Sequence, residues 1–166
     1  MENSDSVLGA ILTADEVIAH LKLGPHPEGG YYREIFRSTD LVAPADGRGP
    51  RAALTTIYFL LPAGIVSRWH RVTSDEVWHL YEGGPLEILV VDPACSALAR
   101  HQLEPHAPVC TVAAAHWQAA RTLGDYALTG CTVGPGFDFA DFTILADDAA
   151  SAARLLAFDA ELASLI

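Results

Sequence analysis

Within the span from Gly64 to Gly84, His70, Glu76 and His79 lie close together, with Trp69 and Trp78 among them. An imidazole and a carboxylate that face each other in an apolar setting can work as acid and base, because burial and proximity move both pKa values. The same pair can also ligate a metal, although zinc and iron sites generally draw on at least three protein ligands. The cysteines offer less: Cys95, Cys110 and Cys131 contain no CxxC pair, and an odd number leaves one unpaired in any disulfide scheme. Reduced thiols are the expectation. His20, His101 and His106 have no identifiable partners and are assigned no role.

The elements that must position these groups are short. Thr13 and Glu16 form a capping box ahead of Val17, Ile18 and Leu21, which predicts a helix over about 13–22. Pro25, Pro27, Gly29 and Gly30 end it in a loop. His26, Glu28, Tyr32 and Arg33 sit in or beside that loop, whose glycines are read either as a tight turn or as a functional loop. Strand-like runs follow at Tyr31–Ser38, Thr55–Leu61, Ile65–Arg71, Glu76–Tyr81, Leu86–Val91, Val109–Ala113, Trp117–Arg121, Tyr126–Val133 and Phe139–Leu145. Gly- and Pro-rich turns separate many of them, which predicts an all-β sandwich or barrel. The tail from Asp147 or Asp148 reads as a helix over about 148–164, with Leu155, Phe158, Leu162 and Leu165 as its apolar stripe. That stripe is expected to pack on the barrel's outer face or on a neighbouring subunit. No βαβ unit with a Gly-rich phosphate loop is present. The 166 residues are read as one domain with a barrel core at about 31–145.

Gly64, His70, Glu76 and Gly83 fall on the spacing of the first cupin motif: G, five residues, H-x-H, three or four residues, E, six residues, G. Val72 stands at its second histidine. The second motif, P-x-G-x-x-H, corresponds to Ala113–Gln118, with alanine at its Pro and Gly positions and Gln118 at its histidine. With the words His26–Glu34, Thr56–Leu61, Ser74–His79 and Gly134–Phe137, the chain resembles the cupin-5-like family, a domain family of unknown function, from about Leu12 to Leu145. The resemblance implies a double-stranded β-helix, the cupin jelly-roll barrel, with short N- and C-terminal helices. It further implies a homodimer, and a fold related to sugar-nucleotide epimerases. It places His70 and Glu76 inside the barrel, but a fold supplies no reaction by itself.

Strand alternation then sorts the neighbours. Arg68 and Val72 share the face of His70, and Trp78 shares that of Glu76, while His79 points away unless a bulge shifts the register. The expected catalytic pair is His70 and Glu76. The expected ligand contacts are Gln118, Thr56, Tyr58, Arg68, Trp78 and His79. A divalent metal, if one binds, would use His70, Glu76 and the weak amide of Gln118; no cofactor is otherwise assigned. The leading function is binding of a polar sugar- or nucleotide-like molecule, with metal-free isomerase or epimerase chemistry. The alternatives are a metal-dependent cupin oxygenase or isomerase, or a non-catalytic metabolite-binding module.

Composition narrows the partners. Apolar residues make up 51% and charged residues 19%, which argues against disorder. Twenty-one acidic residues against ten basic ones give a net charge of −11, which argues against nucleic acid and anionic membrane surfaces. No apolar run is long enough to span a bilayer. The start, Met1 to Asp5, is acidic where a secretory leader would be basic, so a cytoplasmic protein is the expectation.

Overall fold

The computed structural model describes residues 12–166; the reading of the acidic start at Met1–Asp5 lies outside them. A helix, α1 (Ala14–Leu21), opens the described chain with Thr13 and Glu16 capping each other reciprocally. Four strands lead into the barrel: β1 (Gly24–Pro25), β2 (Tyr31–Arg37), β3 (Leu41–Val42) and β4 (Arg51–Ala52). The central strands are β5 (Thr55–Pro62), β6 (Val66–Val72), β7 (Asp75–Gly83) and β8 (Leu86–Val91). The rest are β9 (Leu98–Leu103), β10 (Val109–Val112), β11 (Trp117–Thr122), β12 (Tyr126–Gly134) and β13 (Phe142–Ile144). A helix, α2 (Ala149–Phe158), and a 3₁₀ turn over Ala160–Leu165 close the chain.

Two antiparallel sheets face each other. One runs β1-β2-β5-β12-β7-β10 and the other β13-β6-β11-β8-β9; β3 and β4 form a separate ribbon. Apart from β1–β2 and β8–β9, the paired neighbours in these two sheets are not consecutive in sequence, which gives the jelly-roll arrangement of a double-stranded β-helix. Phe59, Leu61, Trp78, Leu86, Ile88, Val90 and Leu103 fill one end of the space between the sheets. Val17 and Leu23 cover Leu60, Tyr126 and Leu128 on the outside of the first sheet. Leu155, Leu162 and Leu165 cover Trp69, Leu89, Val91 and Trp117 on the outside of the second.

Several expectations shift. The tail is not one helix over 148–164: Asp159 caps a new 3₁₀ turn, whose tighter period turns Leu162 and Leu165 inward. Phe158, expected in the stripe, is left partly exposed where α2 ends. The run Phe139–Leu145 starts as a 3₁₀ turn over Phe139–Asp141, capped by Asp138, and only Phe142–Ile144 pairs as strand. The edge strand β9 escapes sequence reading because its side chains are mostly exposed and carry no apolar alternation.

Candidate functional site

A cavity of about 310 Å³ opens at the other end of the barrel. From the strands it takes Thr55, Ile57 and Phe59 of β5, His70 and Val72 of β6, Glu76 and Trp78 of β7, and Cys131 and Val133 of β12. From the segment after β1 and from β2 it takes His26, Glu28, Tyr32, Glu34 and Arg37. Phe137, Asp138, Phe139 and Phe142 form its rim.

The turn that carries Glu28 is fixed by its glycines. Gly29 has φ +113°, and a Cβ there would stand 2.1 Å from the Val66 carbonyl oxygen; Gly30 has φ +70° and meets the Leu60 carbonyl at 2.8 Å. Only glycine lets the loop lie this close to β5 and β6. The Arg68 amide donates to the Glu28 carbonyl at 2.9 Å, and the Arg68 guanidinium donates to the Pro27 carbonyl at 2.6 Å. The Glu28 carboxyl is thereby held inside. Its Oε1 accepts from the Ser67 hydroxyl at 2.7 Å. Its Oε2 lies 3.3 Å from His70 Nε2 and 3.4 Å from His26 Nδ1.

His70 and Glu76 are both buried against the cavity, but the carboxylate in contact with His70 is Glu28. Glu76 Oε2 accepts from Gln118 Nε2 at 2.5 Å, and Gln118 Oε1 accepts from Trp78 Nε1 at 3.0 Å. Burial pushes the Glu76 carboxyl up to about 7, against the opposing pull of His70. Burial also raises Glu28 and lowers His70 and His26. The Cys131 thiol is pushed up by burial and by Glu76, so it stands as a thiol and not a nucleophile.

Not every expected contact reaches the cavity. Thr56 and Tyr58 lie on the opposite face of β5: Thr56 accepts a hydrogen bond from Thr132, and Tyr58 packs on Tyr81 and under Arg33. Thr55, Ile57 and Phe59 point in instead. Arg68 sits outside because β6 bulges: Gln118 pairs His70 and Ala120 pairs Ser67, so β6 holds one residue more than β11 over that stretch. The bulge turns Ser67 and His70 inward together and leaves Arg68 to clamp the loop. His79 stays on the face opposite Trp78, partly buried, with Nδ1 unpartnered. Gln118 is buried behind Glu76 and does not line the cavity. Glu28 and His26, named in sequence only as members of a Gly-rich loop, are central to the site.

The cupin metal positions do not fit a metal. Gln118 turns its NH₂ toward Glu76 and commits its oxygen to Trp78, and Val72 has no donor atom. Among the described residues, no group of three or more His, Cys, Asp or Glu side chains is arranged to hold a metal ion.

A family model described as "Cupin superfamily (DUF985)" matches residues 15–145. Comparison with curated proteins finds no match. Among solved structures, the chain is 33% identical to a protein of Shewanella oneidensis, with a TM-score of 0.79 over 93% of this chain and 98% of that one. It is 32% identical to a hypothetical protein from Leishmania major, with a TM-score of 0.78 over 90% and 94%. Oxalate decarboxylase from Bacillus subtilis shares the fold at 14% identity and a TM-score of 0.56, over 74% of this chain and 30% of that one.

Proposed function

The chain belongs to the DUF985 family of the cupin superfamily, and from that premise we propose that it binds a small polar molecule in its barrel and moves a proton on it, as an isomerase or epimerase working through its own side chains. The observation that carries this reading is the convergence of His70, Glu28 and Glu76 on one cavity. A carboxyl held at about 7 exchanges its proton readily at physiological pH, which suits a general acid or base.

The lining also favours one ligand class. Among the described residues, Arg37 is the one Lys or Arg side chain on the cavity, and its Nε and Nη2 already donate to Glu34 at 3.0 and 2.7 Å. Glu34 and Asp138 line the cavity beside it. A phosphate or carboxylate would meet the charges of Glu34 and Asp138 with, among the described residues, no free Lys or Arg on the cavity to receive it. Tyr32, Phe59, Trp78, Phe137, Phe139 and Phe142 offer apolar ring faces. An uncharged, sugar-like ring with apolar faces and hydroxyl edges fits this lining better than a nucleotide.

The test is a ligand-observed NMR and thermal-shift screen that pairs neutral monosaccharides with their phosphates and uronic acids. Saturable binding of neutral members, lost in a folded His70→Ala variant, supports the reading. Preference for the anionic partners, or binding unchanged by His70→Ala, overturns it. Binding without turnover would make the protein a metabolite-binding module.

A further inference from the structure

Two hydrogen bonds fix where the ring protons of the site must be. The His70 Nδ1 atom lies 2.8 Å from the Arg68 carbonyl oxygen, and a carbonyl only accepts. His70 therefore carries a proton on Nδ1, and in its neutral form Nε2 presents a lone pair. The Glu28 amide N–H donates to His26 Nδ1 at 3.3 Å, so that nitrogen also presents a lone pair. The His26 lone pair is taken up by that amide, while His70 Nε2 lies 3.3 Å from Glu28 Oε2. A bare carboxylate oxygen this close to an unprotonated ring nitrogen is repelled by it, so one proton is shared between Glu28 Oε2 and His70 Nε2.

Its location follows from the surroundings. Glu28 is faced by His26 from its own loop, by Ser67, Arg68 and His70 of β6, and by the field of Glu76 from β7. The Arg68 guanidinium is turned to the backbone carbonyls of Pro27 and Glu28 and makes no ion pair with the carboxyl. A buried site disfavours separated charge, which places the proton on the carboxyl and leaves both rings neutral.

We propose that Glu28 rests as an un-ionised acid and forms with His70 a self-resetting acid–base pair. This deepens the isomerase reading and rests on it for the ligand. Glu28 Oε2–H gives its proton to a carbonyl oxygen of the bound molecule. His70 Nε2 takes a proton from the adjacent carbon, and the C–H electron pair becomes the C=C bond of an enediol. The site is then a carboxylate beside an imidazolium. Collapse of the enediol in the reverse sense, or transfer from Nε2 to Oε2, restores the starting state with no outside oxidant or reductant. The substrate class is an uncharged α-hydroxy carbonyl compound with a C–H on the hydroxyl-bearing carbon.

The resting state is read on the whole protein without ligand, by ¹⁵N spectra of the histidine rings and the ¹³C shift of the Glu28 carboxyl near pH 7. The expected result is His70 protonated on Nδ1 alone, His26 on Nε2 alone and Glu28 in its acid form. An imidazolium His70 beside an ionised Glu28 overturns the proposal. In Glu28→Gln the amide NH₂ can face the His70 lone pair and the backbone amide still meets His26 Nδ1, so both tautomers should persist. Deuterium uptake from D₂O next to the carbonyl of dihydroxyacetone, the probe, should fall about 100-fold in that variant. Uptake unchanged in Glu28→Gln overturns the proposal as well. Correct tautomers with no uptake by wild-type protein would instead count against the isomerase reading, and a failure of the two is thereby told apart.

Discussion

Glu76 is protonated in the folded protein up to about pH 7 and loses its proton near the ordinary value of 4.5 once unfolded. Between those two values the folded state binds more protons, so stability falls as pH rises through that window. Glu76→Gln removes this slope. Its melting temperature relative to wild type should increase from pH 4.5 to pH 7, by the equivalent of about 3 kcal/mol at most. A parallel pH profile for the two proteins in thermal melts would show that Glu76 is ionised throughout. Gln118→Leu strips Glu76 and Trp78 Nε1 of their partners at once. The expected loss is about 1–3 kcal/mol for an unsatisfied buried polar group, read from urea melts. At this scale the motif spacing made His70, Glu76 and Trp78 legible. The role of Gln118 was not, because an amide at a histidine's position says nothing about which way its NH₂ turns. Glu28 stayed hidden because its partners Ser67 and His70 lie in another strand, the first of them 39 residues away.

A single bulge in β6 decides which side chains of that strand see the cavity. Simple alternation put Arg68 beside His70, and the extra residue put Ser67 there instead. The parity of β5 was likewise open until its pairing with β2 and β12 fixed which face is inside. The aromatic rim is held from behind. Asp141 accepts from Arg51 Nε and Nη2 at 2.8 Å each and from Arg48 Nη1 at 3.2 Å, tying the Phe139–Asp141 turn to the segment before β5. Asp141→Ala leaves two guanidinium groups facing each other and should cost about 3 kcal/mol. Arg51 holds the Asp141 carboxyl below the usual carboxylate range. The bridge contributes above that range and is lost as pH falls through the depressed value, so the variant should show a flatter acid limb in its melts. At the tail, Leu162→Ala should cost about 2–5 kcal/mol while Phe158→Ala should cost under about 1 kcal/mol. Equal costs would mean that the tail packs as one continuous helix.

The whole molecule buries Leu155, Leu162 and Leu165 of the C-terminal stripe on its own barrel, with Trp69 Nε1 donating to the Leu162 carbonyl at 3.0 Å. Those three leucines are therefore not available to a neighbouring subunit. The apolar surface that remains exposed includes Ile35, Phe36, Leu41 and Leu54, on and beside the β2 edge that β1 covers only at Tyr31 and Tyr32. A homodimer is expected to form there. Light scattering at micromolar concentration should give twice the chain mass, and Phe36→Glu should give the monomer; a monomeric wild type would contradict it. None of the described helices is long and apolar enough to cross a membrane. By itself, the sequence determined the β-rich barrel and both helix starts, because strand alternation and capping chemistry are local, while the jelly roll and the inward His70 and Glu76 came through the resemblance of its motif spacing to the cupins. Only the tertiary structure decided that Glu28 and His26 join that pair and that Gln118 serves Glu76. It also decided that Arg68 stays outside, because these outcomes depend on which strands pair, in which register, and where one residue bulges.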